Sequence, residues 1–200
     1  MTDVALATED ELSETIGIRV LSEIDPPIHA SLLLRKGGYG YLRSKMDSWC
    51  QLSQQRPVFL LTDLDNKECP SLLIDNWFGQ RPRPENLIVR VAVREVESWL
   101  LADHEAMRFL LGSKGKLPQN PDALEDPKQC LLRLAKSAKR DIREDLIFEA
   151  GTVASQGIGY NARLGFLVQR QWSPRRAAER SLSLRRTIER LEELALRCQS

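Results

Sequence analysis

The stretch PVFLLTDLDN, residues 57–66, decides how this chain is read. Nothing charged interrupts it before Asp63. An apolar run without polar alternation suits a β-strand buried on both faces. It ends in two aspartates, Asp63 and Asp65, one residue apart. On an extended chain, side chains at i and i+2 point to one face. Two carboxylates about 4 Å apart repel by roughly 4 kcal/mol at an effective dielectric near 20. Such a pair calls for a proton or a cation.

Two other apolar runs end the same way. Val4-Ala5-Leu6-Ala7 is followed by TEDELSE (8–14), and Leu87 to Val93 by REVESW (94–99). Between these runs lie helical patterns. Leu12, Ile16, Val20 and Leu21 share one side of a helix expected over Asp10 to Glu23, stopped by Asp25-Pro26-Pro27. A strand is expected from His29 to Leu34, then a helix carrying Leu42, Met46, Trp49 and Leu52. A short helix from Ser71 to Phe78 precedes the strand at 87–93. A long helix is expected from Arg94 to Leu111, with Val96, Leu100, Met107 and Leu111 in register.

Strands alternating with helices predict an α/β fold with a mostly parallel sheet. Ligands of such sheets gather beyond the carboxyl ends of the strands. All three acidic clusters fall at such ends. Residues 1–112 are expected to form this core, and 113–200 a helical, arginine-rich extension packed on it. In the extension helices are expected over Pro127–Ala138, Asn161–Trp172 and Ser183–Arg197, with 151–159 an irregular loop.

Of the 200 residues 42% are hydrophobic and 28% charged, the balance of an ordinary globular protein. No apolar run approaches the ~20 residues that span a bilayer, and the acidic N-terminus lacks a secretory n-region. Cys50, Cys69, Cys130 and Cys198 form no CxxC pair, so neither zinc nor a disulfide framework is expected. A cytoplasmic protein with reduced thiols follows. Net charge is +1, yet from Arg163 onward nine arginines face four glutamates. An acidic front and a basic tail suggest a metal site beside a polyanion-binding face.

Oxygen donors without histidine or cysteine favour Mg²⁺ or Mn²⁺. The candidate ligands are Glu9, Asp63, Asp65 and Glu97, with Glu95 a neighbour able to substitute for Glu97. Each glutamate has a plainer reading as an acid at a helix start. For Glu9, Thr8-Glu9-Asp10-Glu11 would serve as a cap. RKGGYG (35–40) would contact phosphate through Lys36, Gly37 and Gly38, with Arg43 adding charge. The Walker pattern GxxxxGK[ST] is absent. Arg163 and Lys36 are candidates to face a scissile phosphate, and Tyr160 to Arg163 to complete a cleft. His29 and His104 lack ligand spacing, and the four tryptophans are expected in the core or an interface.

The order strand, glutamate, helix, strand, helix, strand, D-x-D resembles a TOPRIM domain. More narrowly, TEDELSE, RKGGYGYLRSK, LLTDLDN, VRVAVREVESWLLAD and GYNARLGFLVQRQWSPRRAAERSLSLRR resemble a bacterial TOPRIM-like family catalogued as domain of unknown function 4276. That family is related to the overcoming-lysogenization-defect nucleases. The resemblance implies a Mg²⁺- or Mn²⁺-dependent nuclease acting on DNA, in phage defence beside a partner ATPase. Glu9 matches the first-strand glutamate, Asp63 and Asp65 the D-x-D pair, and Glu97 an acid of the narrower family. Asp10 stands where the nuclease motif often has glycine, and Ser13 and Glu14 occupy the next turn, so one or two metals remain possible. The alternative is a non-catalytic TOPRIM-shaped subunit that binds nucleotide or nucleic acid and docks on an ATPase. A third is a Rossmann-like binder of a small phosphorylated ligand, against which the missing GxGxxG counts.

Overall fold

A computed structural model of the chain describes residues 2–35, 37–150 and 153–199. Four parallel strands, β1 (Thr2–Thr8), β2 (Ile28–Arg35), β3 (Val58–Asp63) and β4 (Leu87–Ala92), form one sheet in the order β2-β1-β3-β4. The most apolar runs occupy the centre. Val4 to Ala7 and Val58 to Leu61 are fully buried, while edge strand β2 after Ile28 alternates exposed and partly buried residues.

Alternate side chains feed two cores. On one face Ala5, Ala7, Val58, Leu60, Leu87 and Val89 pack with α2 (Tyr39–Ser44), α3 (Met46–Leu52) and α4 (Pro70–Phe78). On the other, Val4, Leu6, Phe59, Leu61 and Ile88 meet α1 (Glu11–Ser22) and the C-terminal helices. Gly17 lets α1 lie close on β1, since a Cβ there would stand 2.9 Å from the Leu6 side chain.

The long helix expected over 94–111 is two helices, α5 (Glu97–Ala102) and α6 (His104–Leu111). Arg94 has φ +65, which no helix accepts, so α5 begins at Glu97. Asp103 then ends α5 and caps α6 by accepting from the Ala106 amide. Fully buried, Asp103 also takes the Arg176 guanidinium at 2.8 Å and the Ser173 amide at 2.9 Å. The interior binding of that aspartate broke a helical apolar pattern that was otherwise sound.

The region after 112 carries α7 (Pro127–Ala135), α8 (Arg140–Leu146), α9 (Tyr160–Arg170), α10 (Pro174–Ala178) and α11 (Leu182–Arg197). It also contains an antiparallel hairpin, β5 (Ile147–Ala150) with β6 (Val153–Gln156). The extension is therefore not purely helical, and 153–156 is strand where a loop was expected. Trp99 and Trp172, both fully buried, tie it to α5: Trp172 Nε1 donates to the Trp99 carbonyl at 3.1 Å, and Trp99 Nε1 to Ser183 Oγ at 2.7 Å. All four tryptophans are buried. Among the described residues no helix is long and apolar enough to cross a membrane.

Candidate functional site

β1 and β4 flank β3, so the acids that follow these three strands are neighbours across the sheet's carboxyl rim. Glu9 turns toward β3. Its Oε1 accepts from the Asp63 amide at 3.1 Å and from the Thr62 hydroxyl. It is not the cap of α1; Asp10 is, accepting from the Ser13 amide at 2.8 Å. Asp63 Oδ1 accepts from the Val96 amide at 3.0 Å, which draws the chain after β4 back over the rim. Glu97, 4% exposed, accepts from the Tyr160 hydroxyl at 2.8 Å, and Lys128 Nζ stands 4.0 Å away. Asp65 is exposed at the lip.

These surroundings oppose ionisation. Burial holds the Asp63 carboxyl well above the usual carboxylate range, and Glu97, Glu9, Asp10 and Asp65 add repulsion in that order. Burial also raises Glu9, against the hydrogen bonds from Thr62 and the Asp63 amide, and raises Glu97, against those of Tyr160 and the charge of Lys128. Glu95 is raised by burial and then by Glu97. The Tyr160 hydroxyl is pushed up by burial and by Glu97, so it stays protonated and donates to Glu97.

Glu95 has a structural task. Its Oε2 accepts from the Lys128 amide at 3.0 Å, completing the first turn of α7 that Asp126 also caps. The glycine turn after β2 does approach the rim, with Gly37 at φ +42 and Gly38 at φ +80. The Gly38 amide, however, donates to the Glu9 carbonyl at 3.2 Å and is not turned to an anion. Lys36 lies outside the described residues. Arg43 is exposed and lines a groove of about 630 Å³ with Asn66, Lys67 and Glu68. Arg163 hydrogen-bonds Asp145, through Nε at 2.8 Å, and lies 3.6 Å from Asp141. Those two acids of α8 engage the guanidinium that was expected at a scissile phosphate. Glu14 faces Arg35 at 3.5 Å.

Two participants were missed from sequence. Thr62 reads as strand residue, yet its hydroxyl holds Glu9. Lys128 follows an ordinary Asp-Pro helix start, yet its amide holds Glu95, its ammonium faces Glu97, and it lies 5.1 Å from the Tyr160 ring centre. No spacing signal marks either.

The donor chemistry suits a hard cation: each carboxyl in the cluster offers oxygen ligands alone, and the hydrogen bonds to Glu9, Asp63 and Glu97 from the Asp63 amide, the Val96 amide and the Tyr160 hydroxyl each take a single carboxyl oxygen. Among the described residues no three of His, Cys, Asp or Glu are grouped so as to hold an ion as they stand. Mg²⁺ does not need such a cage; it keeps several waters and binds through one or two carboxylates plus substrate phosphate. No curated protein and no solved structure matches the chain. The chain belongs to the family described as Domain of unknown function (DUF4276), which matches residues 7–192.

Proposed function

We propose that the protein is a metal-dependent, nuclease-type hydrolase with a TOPRIM-like rim, cutting phosphodiester bonds of DNA. The observation that carries this reading is the bond from the Asp63 amide to Glu9, which joins the acid after β1 to the D-x-D of β3. Glu9, Asp63, Asp65 and Glu97 would hold Mg²⁺ or Mn²⁺. When bound, such an ion polarises a phosphate oxygen and lowers the pKa of its water.

The chain's own residues do the rest. Buried carboxyls with raised pKa hold protons when alone and give them up when a cation binds. Thr62 and the Asp63 amide fix the Glu9 carboxylate, and Tyr160 fixes that of Glu97. Lys128, in place of Arg163, supplies positive charge beside the rim. Nothing in the sequence points to base-specific readout, so binding should be backbone-directed and salt-sensitive. Lacking a Walker motif, the chain leaves ATP hydrolysis to another protein, and a cytoplasmic role in phage defence beside an ATPase belongs to the same proposal.

The test is Mn²⁺-dependent cleavage of DNA and RNA by the purified protein and by Asp65→Asn. Asp65 is exposed at φ +50, a conformation asparagine tolerates, so the fold should be unaffected. Cleavage should fall at least about 100-fold, as for removal of one catalytic electrostatic group. Equal cleavage by the variant would overturn the assignment. Cleavage by neither protein alone, recovered only with an ATPase, would favour the docking-subunit reading.

A further inference from the structure

Strand β4 has no neighbour on its outer side among the described residues. A cavity of about 470 Å³ wraps that edge, between the start of α4, the segment at 120–123 and α11. Arg90 of β4 and Arg186 of α11 both line it.

Arg90 is half-buried; its Nε donates to the neutral Thr187 hydroxyl at 3.3 Å, and it makes no ion pair among the described residues. Burial, then Arg186 and Arg190, push its pKa down, against the more distant charges of Glu189 and Glu193. Arg190 is engaged by Glu193 at 2.6 Å. The Arg186 side chain is exposed and makes neither hydrogen bond nor ion pair among the described residues. The acid in the lining, Asp122, is committed to the Ser181 hydroxyl and the Ser183 amide, both at 2.9 Å. Ser71 of α4 also lines the space, and no side chain caps that helix.

We propose that this cavity is a phosphate-binding site, formed chiefly by the Arg90 and Arg186 guanidiniums. Burying a charge without a partner is costly, and a bound anion removes that cost. A guanidinium fork matches two phosphate oxygens at once. The volume suits a small ligand such as a mononucleotide. The site is close to the acidic rim: Arg90 pairs in register with Leu61 and Ala92 with Asp63, a separation of two residues or about 7 Å along the strand. The phosphate comes either from a free nucleotide or from a nucleic acid backbone.

Titration calorimetry in EDTA tests the site without calling on cleavage, so its failure is distinct from failure of the nuclease reading. The probes are inorganic phosphate, a 5′-mononucleotide, a short single-stranded oligonucleotide and a glutamate-rich peptide of equal charge. The wild-type protein should bind at least one phosphate ligand. Exposed Arg186→Ala should weaken that binding about tenfold or more, Arg186→Lys should recover part of it, and the salt slope for the oligonucleotide should fall by about one. Mononucleotide binding as tight as the oligonucleotide's identifies the free nucleotide as source; binding of the oligonucleotide alone identifies the backbone. Absence of all phosphate binding, an Arg186→Ala variant equal to wild type, or a peptide that binds tighter than every phosphate ligand would each overturn the proposal.

Discussion

Replacing Asp63 by asparagine should make the metal-free protein more stable and leave it unable to cleave. The carboxyl is half-buried, and Glu97, Glu9, Asp10 and Asp65 all repel its charge. Asparagine keeps an oxygen for the Val96 amide, now 3.0 Å from Oδ1, and loses the charge. With no carboxyl to ionise, the variant escapes the cost of charging position 63 among its acidic neighbours and keeps a neutral hydrogen bond from the Val96 amide. The net gain should be about 0.5–2 kcal/mol, the usual range of single stabilising substitutions. For a chain of this size that raises Tm by roughly 1–8 °C.

The gain should depend on pH in a defined direction. The folded carboxyls of Asp63, Glu9 and Glu97 lie above their ordinary values, so folding retains protons that the unfolded chain releases. Their contribution is intact below the unfolded carboxyl pKa of about 4 and is lost as pH rises through the raised folded values. The variant lacks the Asp63 part of that loss. Its advantage should vanish near pH 4 and grow toward neutrality. Thermal unfolding in EDTA across this range measures it. Adding Mn²⁺ at 100 times its Kd should stabilise the wild type by about 2.7 kcal/mol and the variant far less. A variant less stable than wild type at neutral pH in EDTA, or equally stabilised by Mn²⁺, refutes the account of the rim as a place where carboxyl ionisation is unfavourable without a cation.

Tyr160→Phe keeps the ring but takes the donor from buried Glu97, so it should cost about 1.5–3 kcal/mol; an unchanged Tm would show that Glu97 does not rely on that hydroxyl. Asp10→Ala removes the cap of α1 and should cost about 0.5–2 kcal/mol while Mn²⁺-dependent cleavage persists. A loss of cleavage without loss of stability would move Asp10 from capping to the reaction.

The sheet was legible because its central strands announce themselves. Val4 to Ala7 and Val58 to Leu61 are buried on both faces, and an apolar run bounded by acids is hard to read otherwise. The nearness of Glu9 to Asp63 followed from parallel pairing of β1 with β3, given that both runs are strands. What failed depended on partners remote in sequence. Arg163 looked free because α8, whose Asp145 binds it, has a mostly charged sequence with little apolar periodicity. The break at Asp103 depends on Arg176 and the Ser173 amide, some seventy residues away. Lys128 reaches Glu97 only because α7 packs beside α5.

Strain falls on the same rim as the charge. Asp65 and Arg94 have φ of +50 and +65, and each non-glycine residue in that region costs roughly 1–2 kcal/mol. They lock one another: the Asp65 amide donates to the Arg94 carbonyl at 2.8 Å, and the Arg94 guanidinium to the Asp65 carbonyl at 3.1 Å. The Leu64 amide meets the Ala92 carbonyl at 2.9 Å, so bonding between the two segments continues past the end of β3. Because of this turn the chain leaving β4 doubles back, the Val96 amide reaches Asp63, and Glu97 enters the interior facing Tyr160. Glycine at 65 would fold more cheaply, but it would remove the exposed carboxylate at the lip. Backbone strain kept where it sets acidic side chains in place argues for a working site. A purely structural role would favour relieving strain and charge together, whereas a bound cation would relieve the charge and leave the geometry in use.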